Sequence, residues 1–239
     1  MSKISLVAAC SLVVGLLSQA AQADFAGVQF SADMIQSGPQ GSSEGKMFVG
    51  DNSMRMEMEQ GGQKIVQIID QQRQVQWVLY PEQRSYMEQK APAEASPAAK
   101  PSAADPCAGI PEASCRQLGN ETVNGRQAVK WEMNISHRGQ KVSSTQWLDI
   151  ERNIPLRTET QDGASSELLI LGLEQLGGRT VEKWEMRMSR PGQEPESSFQ
   201  WYDPALKIAI REEFPGGYIR ELVNIKQGAQ PGHLFTIPA

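Results

Sequence analysis

One sequence unit occurs twice in the second half of the chain, and it constrains the fold more than any other feature. Gly125–Met133 reads GRQAVKWEM, and Gly178–Met186 reads GRTVEKWEM. After a slip of one residue the copies match again further on, where Ser143–Asp149 (SSTQWLD) corresponds to Ser197–Asp203 (SSFQWYD). Because a self-match of this length indicates a repeated structural unit, the sequence predicts two tandem units of about four strands each.

Each repeat alternates apolar and polar residues with the two-residue period of a β-strand. In the first copy Trp131 and Met133 fall on one side, while Lys130 and Glu132 fall on the other. Successive side chains of a strand point to opposite faces, and dipeptides such as Asn124-Gly125 favour hairpin turns between the runs. The sequence therefore predicts an all-β, mainly antiparallel fold with little helix.

The first residues are typical of a secretory signal peptide. Lys3 precedes a mostly apolar run, Ile4–Leu17, and Ala21–Ala23 is a small-x-small cleavage site. We therefore predict that residues 1–23 are removed and that the protein is exported to the periplasm. A lipoprotein signal ending at Cys10 is the alternative, but too few residues separate Lys3 from Cys10 for an apolar region.

The remaining chain divides into three predicted segments. Residues 24–90 contain short alternating runs separated by glycine turns and predict an N-terminal β-meander. Residues 91–117 are rich in alanine and proline, which disfavours helix and sheet, and predict a linker. The repeats then occupy 118–172 and 173–239 and are expected to complete the same sheet.

Two cysteines, Cys107 and Cys115, remain in the mature chain. An even number of cysteines in an exported protein favours a disulfide. A redox or metal-binding pair is the alternative, but the spacing fits neither a CxxC motif nor a usual zinc site. We therefore predict a disulfide that closes a short loop at the end of the linker.

The charge of the chain excludes simple electrostatic partners. Residues 1–23 contain one basic and no acidic residue, so 22 basic and 28 acidic residues remain after cleavage. A chain with net negative charge is not attracted to nucleic acid or to an anionic membrane. We predict no nucleic-acid partner and no membrane-spanning segment, and the sequence leaves the oligomeric state open.

No pattern in the sequence is typical of an enzyme. His137 and His233 have no metal-ligand spacing, and GxSxG, HExxH and phosphate-binding glycine motifs are absent. Asp149 and Asp203 occupy equivalent repeat positions and could form a carboxylate pair. We interpret each instead as the start of a turn, with the carboxylate accepting hydrogen bonds from its own backbone. The sequence thus predicts a protein without catalytic residues, metal or cofactor.

Methionine is concentrated on the predicted strand faces. In the run 53–59, three methionines share one face by the two-residue period. Thioether side chains fill cores, line adaptable apolar sites and bind Cu(I), so three interpretations are open. The candidate ligand-binding residues are Met54, Met56, Met58, Trp77, Met133, Met186 and Met188. The candidate structural anchors, which pack the sheet, are Trp131, Trp147, Trp184 and Trp201.

Several motifs together resemble a known superfamily. Gln146–Asp149 followed by Ile154–Glu159 resembles the hairpin of the LolA/LolB-like periplasmic lipoprotein carriers. Gly45–Val49 with Met54–Glu57, and then Leu118–Gly125, resemble more closely a bacterial family of unknown function related to those carriers. The resemblance implies a curved, incompletely closed antiparallel barrel. In the carriers, helices cover an apolar cavity that holds acyl chains, whereas this chain has no evident capping helix and carries an additional repeat.

These observations lead to three hypotheses of function. The first is a non-enzymatic periplasmic protein that binds a lipid, a lipoprotein or another hydrophobic ligand on the concave face of the sheet. The second is a structural or protein-interaction module of the cell envelope, and the third is Cu(I) binding by Met54, Met56 and Met58. An open apolar cavity favours the first, a filled core the second, and converging sulfur atoms the third.

Cleavage of the signal peptide is expected after Ala23, so that Asp24 becomes the mature N-terminus, because the small-x-small site follows a short apolar run. N-terminal sequencing of the protein purified from the periplasm measures this. An acylated Cys10 at the N-terminus would instead show a membrane-anchored protein.

Overall fold

The computed structural model describes residues 2–3, 27–90, 103–108, 110, 112–137 and 140–238. The predicted cleavage site at Ala23 and most of the alanine- and proline-rich linker lie outside the described residues. None of the helices among the described residues has the length and hydropathy needed to span a bilayer. Two short 3-10 helices, Pro81–Gln83 and Gly232–Phe235, accompany the strands.

Strands form nearly all of the regular structure in the described part of the chain. Within Phe30–Lys90 and within Ala113–Gln227, strands that are consecutive in the chain are neighbours in the sheet and are joined by short turns, as the glycine and asparagine dipeptides predict. Asn124 and Gly125, for example, both have positive φ, 51° and 77°. The strands are β1 Ser2–Lys3, β2 Phe30–Gly38, β3 Gly41–Gly50, β4 Ser53–Gln60, β5 Gln63–Asp70, β6 Val75–Tyr80, β7 Ser85–Lys90, β8 Ala113–Val123, β9 Arg126–His137, β10 Gln140–Asp149, β11 Pro155–Thr160, β12 Ser165–Leu176, β13 Arg179–Ser189, β14 Glu196–Asp203, β15 Ile208–Phe214 and β16 Tyr218–Gln227.

The strands belong to one hydrogen-bonded sheet with a linear order. The order is β1-β7-β6-β5-β4-β3-β2-β16-β15-β14-β13-β12-β11-β10-β9-β8. β1 pairs with β7 in parallel, whereas β16 joins β2 in an antiparallel pair. Within the described residues the order does not return to its start, so hydrogen bonds do not close the sheet into a ring. The predicted class, an all-β, mainly antiparallel and incompletely closed sheet with little helix, is confirmed.

The chain divides into two compact units. The first contains Met1–Ala91, Gln175–Val181 and Trp201–Ala239, and the second contains Pro92–Glu174 and Glu182–Gln200. Strands β12, β13 and β14 contribute to both units. The predicted segments 24–90, 91–117, 118–172 and 173–239 were drawn from the repeat and the composition, and they stay a prediction.

In the first unit, one face of β5 and β6 carries a core of branched and aromatic side chains. It consists of Val66, Ile68, Val75, Trp77 and Leu79, and Tyr86, Phe235 and Ile237 pack against it. The C-terminal segment is held there by a hydrogen bond from Arg55 Nη1 to the carbonyl oxygen of Leu234, 3.0 Å long. The end of the chain thus covers an apolar surface that the strands alone would leave in water.

In the second unit, the segment that begins at Ala103 covers Trp131. The Trp131 indole N–H donates to the carbonyl oxygen of Ala103, at 3.2 Å, and the backbone N–H of Ala103 donates to Asn153 Oδ1, at 2.9 Å. The predicted disulfide between Cys107 and Cys115 is present and closes this segment. The buried cluster consists of Ala103, Val129, Trp131, Met133 and Leu148, with both cysteines packed against it.

The equivalent tryptophans of the two repeats are not buried to the same degree, which corrects the expected symmetry. Trp131 is 7% exposed, whereas Trp184 is only half-buried and donates its N–H to Glu182 Oε2, at 3.0 Å. Trp131 is more buried because the segment that begins at Ala103, which precedes β8, covers it. In the second repeat β12 takes the place of β8 and follows β11 through the turn 161–164, so no such segment precedes it. Trp147 and Trp201, the second equivalent pair, are 4% and 7% exposed.

Trp131→Ala is expected to lower the free energy of unfolding by about 3–5 kcal/mol, because it leaves a cavity under the Ala103 segment. Trp184→Ala is expected to cost about 1 kcal/mol, the ordinary cost of truncating a partly exposed side chain. Urea unfolding of both variants measures the difference. Equal losses in the free energy of unfolding would show that the two tryptophans are equally important for core packing.

Candidate functional site

The first unit contains a continuous apolar surface on adjacent strands, here called the methionine face. Cross-strand register places Met47 opposite Met56 and Val49 opposite Met54, and it places Phe30 opposite Val49. Residues that are directly opposite in an antiparallel pair share a face. The face consists of Phe30, Met34, Met47, Val49, Met54 and Met56, each at most 2% exposed.

Met58 lies at the border of this face. It is half-buried and opposite Gly45 in the neighbouring strand. The Gly45 position is crowded, because a Cβ there would lie 2.5 Å from the carbonyl oxygen of Glu57 and 3.1 Å from the Met34 methyl carbon. A glycine at this position therefore lets β3 and β4 approach closely beside Met34.

The other predicted ligand-binding residues lie elsewhere. Trp77 is opposite Ile68, which is opposite Arg55, so it occupies the face opposite to Met54 and Met56. Its indole N–H donates to Glu88 Oε2, at 3.1 Å. The remaining three belong to the second unit: Met133 is buried beside Trp131, Met186 is half-buried and Met188 is 44% exposed.

Three buried polar side chains of the first unit have an atom without a hydrogen-bond partner: Gln67 Nε2, Ser85 Oγ and Glu212 Oε2. For Glu212 the partner is ionic, because that same oxygen pairs with the Arg220 guanidinium. Burial raises the pKa of the Glu212 carboxyl, and the neighbouring Arg220 counteracts only part of this effect. None of the three was predicted from the sequence, because a polar residue in an alternating strand gives no signal of its burial.

An open cleft of about 440 Å3 borders the methionine face at Met34 and Met58. Half of its lining residues are charged, and Glu57 is one of them. Burial raises the pKa of Glu57, but hydrogen bonds from Lys64 and Arg55 outweigh it and lower that pKa. Glu57 is therefore an ionised partner of two cations in the wall of the cleft. The other charged lining residues are Asp33, Glu44, Lys46, Glu59 and Lys64.

The two repeat aspartates organise turns, as the sequence predicts. Asp149 Oδ1 accepts hydrogen bonds from the backbone N–H groups of Glu151 and Arg152, 2.8 and 3.0 Å long. Asp203 Oδ1 accepts the same two bonds from Ala205 and Leu206, at 2.8 and 3.1 Å. Both carboxylates are thus used within their own turns.

An arginine that sequence reasoning missed completes each turn. The Arg126 guanidinium donates to Asp149 Oδ2, and Arg179 donates to Asp203 Oδ2 in the other copy. Burial acts to raise the pKa of Asp149, but the hydrogen bonds from Arg126, Arg152 and Glu151 lower it. The signal was available, because a Gly-Arg pair begins each copy and precedes its aspartate by a similar spacing, 23 residues in the first copy and 24 in the second.

No group of three or more histidine, cysteine or carboxylate side chains with metal-binding geometry occurs among residues 27–90, 103–108 and the other described ranges. The only soft donors that register brings directly opposite each other on the methionine face are the thioethers of Met47 and Met56. These would be the residues to hold Cu(I), which prefers such ligands.

Comparison with known proteins identifies the family. A family model described as "Domain of unknown function (DUF4412)" matches residues 25–162. The chain belongs to this family. None of the curated proteins compared with the chain matches it.

Several solved structures are similar to this DUF4412 chain at low sequence identity. A LolA superfamily protein from Nitrosomonas europaea is 13% identical with a TM-score of 0.39, over 92% of this chain and 95% of that one. A DUF1329 family protein from Desulfovibrio piger is 12% identical with a TM-score of 0.34, over 92% of each chain. The hypothetical lipoprotein YmcC from Escherichia coli is 14% identical with a TM-score of 0.29, over 92% and 91%. The prediction that the chain belongs to a family of unknown function is confirmed.

Asp149→Asn is expected to lower the free energy of unfolding at pH 7 by about 2–4 kcal/mol, because it removes the buried carboxylate partner of Arg126 and leaves that guanidinium only the exposed Glu151. Since the folded pKa of Asp149 is below its unfolded value, this stability is present above the unfolded pKa, near ~3.9. It is lost as the pH falls through the folded pKa.

Urea unfolding of the wild type and Asp149→Asn from pH 7 to pH 3 measures this effect. The difference between them should shrink in the acid range. Asp51→Asn, at an exposed turn position, is the control and should change stability by less than about 0.5 kcal/mol. A difference that stays constant with pH would contradict the assigned role of the Asp149 carboxylate.

Proposed function

We propose that this DUF4412 protein is a non-enzymatic binding protein of the bacterial cell envelope. Its ligand would be a lipid, the lipid part of a lipoprotein or another hydrophobic molecule, bound on the methionine face. The observation that supports the proposal is the concentration of four methionines on that one face, packed side by side on adjacent strands.

The contrast between the two faces of the first unit strengthens this argument. The opposite face is built from Val66, Ile68, Val75, Trp77 and Leu79, which are the branched and aromatic residues that strands prefer. The methionine face departs from that preference at four of its six positions, since only Phe30 and Val49 are aromatic or β-branched. Unbranched thioether side chains adapt their shape to a bound molecule, whereas branched and aromatic side chains form a rigid core.

Binding on this face requires its side chains to repack, because Met54 and Met56 are at most 2% exposed. Methionine makes such a rearrangement inexpensive, since it has three rotatable bonds and no branched carbon. An apolar ligand would replace protein contacts with contacts of the same kind. Affinity would then depend on shape and apolar area more than on individual polar contacts.

The burial of the same residues favours a second candidate function. A face that is filled by the protein itself is typical of a structural or protein-interaction module of the envelope. The Cu(I) hypothesis names Met54, Met56 and Met58, and register adds Met47, which lies opposite Met56. The binding experiments below distinguish these two candidates from the binding of a hydrophobic ligand.

We place the protein in the periplasm after removal of the signal peptide. The disulfide between Cys107 and Cys115 supports this location, because disulfides persist in oxidising compartments such as the bacterial periplasm. The apolar run that follows Lys3 supports export independently.

NMR of protein labelled at the methionine methyl carbons tests the proposed site without changing the core. Titration with a single-chain lysophospholipid, below its critical micelle concentration, should shift the methyl resonances of Met47, Met54 and Met56. The resonance of Met188, which is 44% exposed in the second unit, is the internal control and should not move. Shifts confined to Met188 would place the ligand elsewhere, and the absence of any binding would favour the structural module.

A triple variant, Met54→Leu, Met56→Leu and Met58→Leu, separates lipid from copper. It keeps the apolar area at a cost of less than about 1.5 kcal/mol per site, so lipid binding is expected to persist. Cu(I) binding of micromolar or tighter affinity in the wild type, lost in this variant, would support the copper hypothesis instead.

A further inference from the structure

Among the buried polar atoms without partners, Gln67 Nε2 has the most informative position. Gln67 is 4% exposed and lies directly opposite Met56 in β4 and opposite Val78 in β6. It therefore belongs to the same side of the sheet as the methionine face. Val78 has no acceptor atom, the Met56 thioether is only a weak acceptor, and Gln67 Nε2 has no hydrogen-bond partner.

A donor in this position is costly to the protein when nothing accepts from it. Buried polar groups nearly always have a partner, and those that do not call for a specific explanation. Leucine or methionine at residue 67 would continue the apolar face without that cost. A glutamine at this position is therefore explained if the bound ligand supplies the hydrogen-bond acceptor.

The surroundings of Gln67 define the chemistry of that partner. The acceptor must be neutral, because an anion beside Met56 and Val78 would be removed from water without a cation opposite it. It must also be attached to an apolar chain, because the neighbouring face is apolar. The carbonyl group where an acyl chain joins its ester or amide meets both conditions, whereas a plain hydrocarbon or an alkyl ether offers a much weaker acceptor or none.

We propose that Gln67 donates a hydrogen bond from Nε2 to the acyl carbonyl of the ligand, and that the ligands of this protein are acyl esters or acyl amides. This inference rests on the proposed binding of a hydrophobic molecule to the methionine face and specifies its class. Gln67 is a specificity-determining residue in this arrangement, and the methionines supply the apolar contact.

Two lipids that differ only at the relevant atoms test the proposal. The probes are 1-lauroylglycerol, an ester with a carbonyl oxygen, and 1-O-dodecylglycerol, the ether that lacks it. Calorimetric titration of the wild-type protein should give an affinity for the ester about three- to ten-fold higher than for the ether, the net effect of one hydrogen bond.

Gln67→Leu should remove this preference while leaving the affinity for the ether unchanged. The same substitution should raise Tm by a few degrees in the absence of lipid, because an unpaired buried donor is lost. Gln67→Met, which keeps the length and flexibility of the side chain, provides a second variant if leucine disturbs packing. Gln63→Leu, at an exposed position of the same strand, is the control and should retain the preference.

Each outcome bears on one of the two proposals. Equal affinity of the wild type for both lipids, or a preference that survives in Gln67→Leu and Gln67→Met, overturns the role of Gln67 but leaves hydrophobic binding in place. Failure of both lipids to bind overturns the proposed function and this inference together. Loss of the preference combined with a raised Tm supports the inference, because a residue with a purely structural role would not move stability and affinity in opposite directions.

Discussion

Cross-strand register is the constraint on which the rest of this structure depends. Because the side chains of a strand alternate between faces, a slip of one residue between β4 and β5 would exchange the two faces completely. Met56 now pairs with Gln67, and Arg55 pairs with Ile68. In the slipped pairing, Met56 would share a face with Ile68 or Val66, and Arg55 would share a face with Gln67 or Ile69. The separation of an adaptable apolar face from a rigid one thus depends on the hairpin turns that set the register.

The repeats preserve polar contacts that hold neighbouring strands in place. Lys130 forms an ion pair with Glu121 at 2.9 Å, and Lys183 forms the equivalent pair with Glu174 at 3.2 Å. Exposed pairs of this kind contribute little individually. The buried turn carboxylate of Asp149 contributes more, because it combines an arginine partner with two backbone hydrogen bonds. The duplicated sequence has therefore kept its turns and strand pairings, while its apolar contacts have diverged.

The two proposals about function concern different properties of one surface. The methionine face explains how apolar molecules of varied shape could be accommodated, since thioethers repack at low cost. Gln67 explains how a surface of this kind could still discriminate among them. A hydrophobic site with one buried polar group distinguishes ligands by whether they satisfy that group. Adaptability and selectivity would then come from neighbouring residues on adjacent strands.

The sequence by itself determined what depends on local pattern: the strand alternation, the hairpin turns, the duplicated unit, the Cys107–Cys115 pair and the turn role of Asp149. These features involve residues that are close in the chain or repeat at fixed spacing. Tertiary structure decided which faces are covered. Trp131 and Trp184 share the same local sequence, yet only Trp131 lies under the segment that begins at Ala103, a contact 28 residues distant in the chain. Burial depends on such distant contacts, and for that reason the alternating pattern alone did not separate the two tryptophans.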